Sequence, residues 1–289
     1  MTGFRFGVNL LALADRGEWV STCKRAEASG YDVILVPDHL GVPAPFPSLV
    51  LAAEATERSR VGTFVLNAAF WNPVLLAREV ATTDQLTGGR LELGLGAGYV
   101  KAEFEAAGLP WESPGKRVDH LERTVAELSR LFADQGQQPR PAKPSGPPLL
   151  IGGAGDRVLR LAAEHADIVG FTGARTGRDG MLTLVDAASV AERVAYVDRH
   201  AGGRTVEKNI LVQTVVVTDD RRGAAERLQP RYGPDMTPEQ ILELPTLLIG
   251  THRQIAEQLR ERREVYGFSY VTVLEPSLAA FAPVIGLLR

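Results

Sequence analysis

Short apolar, β-branched runs alternate with amphipathic stretches from one end of the chain to the other. The pattern predicts strands at Arg5–Leu10, Val33–Val36, Val61–Leu66, Leu91–Leu95, Leu149–Gly152, Ile168–Phe171, Ile210–Val217 and Tyr270–Leu274. These runs are apolar on both faces, as parallel strands covered by helices are. Helical stripes of 3.6 period lie between them: Val118, Leu121, Val125, Leu128 and Phe132; Val190, Val194 and Val197; Ile255 and Leu259. Eight strands with intervening helices predict an α/β fold of the (β/α)8 TIM barrel type, as one domain over residues 1–289, with an open doubly wound sheet as the alternative.

Three stretches break the rhythm, near residues 135–148, 172–185 and 219–249. The first is rich in Pro, Gln, Lys and Gly and reads as a surface connection, the second carries glycines at 173, 177 and 180, and the third holds Pro230, Pro234, Pro238 and Pro245. On a barrel, long loops after strands are where substrate selection is built.

Composition narrows the function classes. With 45% apolar and 23% charged residues in 289, and a net charge of −3, nothing argues for nucleic acid or an anionic membrane as partner. No run approaches the roughly 18 apolar residues of a membrane span. The first residues enter a strand at once, so no signal peptide is expected, and a reducing cytoplasm is the expected compartment. The single cysteine, Cys23, shares a helical face with Trp19 and Ala26, which predicts a buried apolar thiol. The five histidines (39, 120, 165, 200 and 252) lack metal-ligand spacing, so no metal site is expected.

The candidate chemistry lies at strand ends. Residues 61–99 read as strand, Asn72-Pro73 helix start, helix, Gly88-Gly89 stop, strand, and the run Gly94-Leu95-Gly96-Ala97-Gly98-Tyr99. Such a loop lets a cofactor touch bare backbone at the carboxyl end of a parallel sheet, since no Cβ stands in the way. It is not a dinucleotide fingerprint, because the third glycine comes one residue early; a tight turn is the plainer reading. Gly152-Gly153-Ala154-Gly155 runs from a strand into a helix near Asp156, a place for phosphate on unpaired N–H groups, or simply a tight capped turn. Asp38-His39 follows the second strand, where a histidine can exchange a proton near neutral pH or merely satisfy a backbone carbonyl. Asn9, ending the first strand, is a candidate to hold a polar ring edge. Thr251/Gln254 and Thr237/Gln240 read as helix capping boxes, which is architecture.

Together these pieces resemble the bacterial luciferase-like flavin and deazaflavin oxidoreductase superfamily. The resemblance rests on Pro37-Asp38-His39-Leu40, Val61-Gly62-Thr63, Asn72-Pro73, Leu86-Thr87-Gly88-Gly89-Arg90, the Gly94–Gly98 run, and Ile151-Gly152-Gly153 with its helix. It implies a luciferase-like barrel with a non-prolyl cis peptide at Phe64–Val65 supporting a tricyclic ring. Asp38 and His39 would approach that ring, Gly94 to Gly98 (with Gly96, Ala97 and Gly98) would border the cofactor's side chain, Tyr99 would contact cofactor or substrate, and Gly152 and Gly153, with Ala154 and Gly155, would take its phosphate. The run Leu91–Gly98 looks most like the subgroup using coenzyme F420, the 5-deazaflavin, with a reduced-FMN monooxygenase as the alternative and a non-catalytic flavin-binding barrel as a second. The F420 reading implies hydride exchange with a small organic substrate, with His39 as the proton donor, and Arg157 and Arg160 either meeting the deazaflavin's acidic tail or simply solvated. A homodimer is also implied. Related sugar-phosphate dehydrogenases carry a glutamate where this chain has Tyr99, and a tryptophan shortly after the histidine where it has Val42-Pro43, which argues against sugar-phosphate oxidation.

Overall fold

The computed structural model of the chain describes residues 3–12, 15–176, 182–232 and 236–289. Its strands, in barrel order, are Arg5–Asn9, Val33–Val36, Arg60–Thr63 resumed at Leu66–Asn67, Leu91–Gly96, Leu149–Gly152, Ile168–Phe171, Glu207–Val212 and Phe268–Leu274. Every neighbouring pair is parallel. The eighth strand returns to the first, from Arg5 opposite Tyr270 to Asn9 opposite Leu274, so the sheet closes. This is the (β/α)8 barrel the pattern predicted.

Helices cover the outside, and local side chains set where several of them begin. The helix Pro73–Leu86 starts at Asn72, whose side chain accepts from the N–H groups of Val74 and Leu75, with proline in its first turn. Both predicted capping boxes form, Thr251 with Gln254 and Thr237 with Gln240. Cys23 is buried on the helix Arg16–Ala28 beside Trp19 and Ala26, and burial pushes its thiol up to about 12, so it is inert at neutral pH.

Inside the barrel two layers differ in chemistry. At the amino-terminal ends of the strands, Arg5 pairs with Glu92 and Glu207, and Arg60 Nε lies 2.7 Å from Glu92. The Arg5 guanidinium lies 4.5 Å from the Tyr270 ring centre. Two cations and two anions balance, which is the condition for taking such groups out of water. Above them Val33, Leu35, Phe64, Leu150, Ile168 and Tyr270 form an apolar layer. The carboxyl ends of the strands open above that.

The predicted strand Ile210–Val217 is two strands. Gln213 donates its N–H to the Thr246 carbonyl at 2.8 Å, and Thr214–Val217 then pairs in parallel with Leu247–Gly250 outside the barrel. The apolar run is continuous across the break, so the pattern carries no mark of it. The insertion near 219–249 is correspondingly more regular than a loop: helices Arg221–Tyr232 and Pro238–Glu243 precede that strand and share a small separate core with Ala174 and Leu184. Within 172–185 the chain forms an antiparallel pair, Ala174–Thr176 with Leu182–Leu184. Gly177, Gly180 and Pro234 lie outside the described residues. The stretch 135–148 carries no helix or strand, as expected of a connection. Among the described residues no helix is long and apolar enough to cross a membrane.

One surface carboxylate secures the approach to the third strand. Glu27 accepts from the N–H groups of Glu57, Arg58 and Ser59, the shortest at 2.8 Å. Burial alone would raise its carboxyl, but these bonds outweigh it and hold the group down at about 2. A depressed carboxylate stabilises the fold above its ordinary range and loses that contribution as pH falls toward its folded value. Glu27→Gln is expected to cost about 1 kcal/mol at pH 7, a figure reduced for solvent access. Urea unfolding of both proteins should show the difference shrinking between pH 5 and 2.

Candidate cofactor site

The third strand carries one residue more than its neighbour. Val61 and Gly62 face Leu91 and Glu92, and pairing resumes with Leu66 opposite Leu95, so Thr63, Phe64 and Val65 stand against only Leu93 and Gly94. The Phe64–Val65 peptide within this bulge is cis. Thr63 Oγ1 accepts from the Gly94 N–H and donates to the Gly94 carbonyl, both at 2.8 Å, so a side chain replaces the missing rungs. On the other side the Phe64 N–H donates to the Val36 carbonyl at 2.8 Å.

This geometry changes the reason for the glycines. A Cβ at Gly94 would fall on the Thr63 carbonyl oxygen, and one at Gly96 or Gly152 would come within 2.8 or 3.3 Å of the Val65 methyls. Gly98, at φ +73°, lies under the Asn67 side chain, and Gly153 under Val158 of the following helix at 2.6 Å. On their Cβ side these four candidate positions, Gly96, Gly98, Gly152 and Gly153, make room for the chain itself. Gly155 is different: nothing lies within 4 Å of its Cβ position. It precedes the helix Asp156–His165, and no side chain caps that helix, which leaves first-turn N–H groups open to an anion.

At the mouth, Asp38 and His39 diverge. Asp38 Oδ2 accepts from the Asn67 N–H at 3.2 Å and from Trp71 Nε1 at 3.0 Å. Burial pushes its carboxyl up against the pull of these bonds and of His39. Asp38 thus braces the segment after the bulge. The His39 Nδ1 lies 2.9 and 3.1 Å from the two Glu103 oxygens, and the ring meets Tyr99 edge-on at 5.7 Å. The imidazole is one-third exposed, at 34%, while Glu103 is 14% exposed. Burial, then the Glu103 charge, push the Tyr99 hydroxyl up, so it stays protonated. Asn9 is buried at the end of the first strand. Its Nδ2 is 3.5 Å from the Phe64 carbonyl, and its Oδ1 has no hydrogen-bond partner among the described residues. Ala97 is half-buried against the outer core.

Sequence reasoning passed over Glu103 and Trp71. Glu103 lies on the short helix Lys101–Ala106 that follows the glycine run, 64 residues from His39, and nothing in the local pattern pairs the two. Arg157 pairs with carboxylates of the preceding helix: its Nη2 is 2.7 Å from Asp119 and 2.6 Å from Glu122. A cavity of about 310 Å³ lies at the rim, bounded by Gly153, Ala154, Phe171, Thr172, Arg175 and Ser189. No group of metal-ligating side chains gathers among the described residues.

Comparison with known proteins fits this geometry. Residues 1–234 match the family described as luciferase-like monooxygenase. The chain belongs to that family. A 5,10-methylenetetrahydromethanopterin reductase from Archaeoglobus fulgidus is 31% identical over 172 residues; the match spans 56% of this luciferase-like chain and only about half, 51%, of the reductase. An F420-dependent glucose-6-phosphate dehydrogenase from Intrasporangium calvum is 25% identical over 90% of this chain and 89% of its own. Among solved structures, an F420-dependent secondary alcohol dehydrogenase bound to an F420-acetone adduct superimposes with a TM-score of 0.79 at 18% identity, each chain fully covered, a likeness of fold.

The close approach at the bulge is testable. Gly94→Ala forces backbone against backbone and is expected to cost about 3 kcal/mol in urea unfolding. Gly115→Ala, in open space on the helix Pro114–Ala133, is expected to stabilise by about 0.5 kcal/mol.

Proposed function

We propose that this luciferase-like enzyme is an F420-dependent oxidoreductase that exchanges a hydride with a small organic substrate, His39 carrying the accompanying proton. The observation that carries the reading is the polar set at the barrel mouth: a partly exposed imidazole held by a carboxylate, beside a buried Asn9 oxygen that lacks a partner. The names of the two sequence relatives, a reductase and a dehydrogenase, support an oxidoreductase, and the second, F420-dependent and aligned over 90% of this chain, supports the cofactor.

The residues present fit a deazaflavin. The orphaned Asn9 Oδ1 is an acceptor for a ring N–H, and leaving such a group unmet costs about 1–3 kcal/mol. The Phe64–Val65 backbone supports the ring, and Gly96, Ala97, Gly98 and Tyr99 border the side chain that leaves it. The open N–H groups after Gly155, with the backbone of Gly152, Gly153 and Ala154, take the phosphate. The bound deazaflavin supplies a hydride donor or acceptor that does not activate oxygen. The protein's own part is position and one proton: His39 Nε2, the nitrogen not engaged by Glu103, gives a proton to the reduced substrate's heteroatom or takes it in the reverse direction. With Tyr99 in place of a glutamate, sugar-phosphate oxidation is not the reaction we propose.

The family's description as monooxygenases favours a second reading, a reduced-FMN-dependent oxygenase. Dissociation constants for F420 and FMN, measured by fluorescence with the purified full chain, separate the two. Binding of F420 at least about tenfold tighter, a difference of about 1.4 kcal/mol, is expected. Tighter FMN binding together with oxygen uptake in the presence of reduced FMN overturns the proposal, and cofactor binding without turnover leaves a non-catalytic barrel.

His39→Ala is expected to lower kcat by about 10²- to 10⁴-fold, the usual worth of a general acid or base, without changing cofactor affinity. Turnover equal to wild type across the whole pH range removes His39 from the mechanism.

A further inference from the structure

We propose that Glu103 is a positioning residue that fixes the proton of neutral His39 on Nδ1 and so reserves Nε2 for exchange with substrate. This rests on the reading of His39 given above and deepens it.

The local sequence explains how a glutamate comes to be there. The fourth strand ends in the glycine run, and the chain turns at once into the six-residue helix Lys101–Ala106. Phe104 anchors that helix: it is 1% exposed, with its ring centre 5.4 Å from Phe70 and 4.9 Å from Trp111. Glu105 is 61% exposed and meets Lys101 in solvent at 3.3 Å. Glu103 is mostly buried, and both its oxygens lie within hydrogen-bond distance of one atom, His39 Nδ1.

An ionised carboxylate only accepts, so the nitrogen facing it must carry hydrogen. The neutral ring is therefore the Nδ1–H form with its lone pair on Nε2, and the protonated ring releases its proton from Nε2 while keeping the Glu103 bond. Free imidazole side chains in water prefer the opposite form, so this assignment needs a partner to impose it. The other groups facing the ring do not supply one. Tyr99, from the fourth strand's end, offers an aromatic edge contact. Asp38, on His39's own segment, has its Oδ2 committed to Asn67 and Trp71.

The decisive measurement is long-range ¹H–¹⁵N NMR of the full chain labelled at histidine, with the His39 signals identified by their loss in His39→Ala. In the wild-type protein at a pH where His39 is neutral, the Nδ1–H form is expected. In Glu103→Ala it should give way to the Nε2–H form, and in Glu103→Gln to a mixture, because an amide can accept or donate. Kinetics of the F420-loaded enzyme provide the second limb: Glu103→Ala should lower kcat by about ten- to a hundredfold, less than the full loss of a general acid or base. His39→Ala/Glu103→Ala should be no slower than His39→Ala alone, since groups acting as one unit are not additive. Glu103→Gln preserves the side-chain volume and decides the matter if the alanine variant does not fold. An unchanged tautomer in the variants, or a double variant slower by the product of the two single losses, overturns the role of Glu103. The NMR limb needs no cofactor, so it stands apart from a failure of the F420 reading itself.

Discussion

Two hydrogen bonds between the Thr63 hydroxyl and the backbone of Gly94 hold this barrel shut where its third strand has a residue to spare. Without them the Gly94 N–H and carbonyl would be buried with no rung to join, and such groups are expensive to leave unmet. Only a small hydroxyl-bearing side chain can serve as donor and acceptor at once in that space, and only glycine lets the neighbouring strand come close enough. The bulge in turn sends Val65 across three neighbouring glycines and returns the strand to register at Leu66. One local exception to the ladder thus dictates residues on two further strands.

The same bulge organises the rim. Asn67, just past it, gives its N–H to Asp38 and lays its side chain over Gly98, so the loops after the second, third and fourth strands are tied together by one residue. On that frame three groups at the mouth remain under-used. Asn9 keeps an unmet acceptor, His39 keeps one nitrogen and a third of its surface, and the helix beginning at Asp156 keeps its first N–H groups. Other buried atoms, Glu92 Oε2 and Asn209 Oδ1 among them, also lack a hydrogen-bond partner among the described residues, so it is their place at the mouth that sets these three apart.

Much of this was legible in the sequence because periodicity reports burial. The eight strands announced themselves as apolar runs, and Thr251 and Thr237 announced their helices through a glutamine three residues on. What stayed hidden depends on contacts between residues distant in the chain. Nothing in Ile210–Val217 distinguishes the half that stays in the barrel from the half that pairs with Leu247–Gly250. The glycine runs stand out in the sequence, but a missing Cβ looks the same whether a cofactor or Val65 fills the space. Asp38 and His39 are adjacent in sequence, yet one braces Trp71 and the other faces Glu103, a division that only side-chain geometry reveals. Glu103 itself, 64 residues from its partner, is invisible to any reading of local pattern.

At the opposite end of the barrel the interlocked Arg5, Glu92, Arg60 and Glu207 have a consequence for traffic. With the apolar layer above them they make the cylinder a blind cup rather than a tube. Any molecule seated in the mouth is therefore approached from the carboxyl side alone.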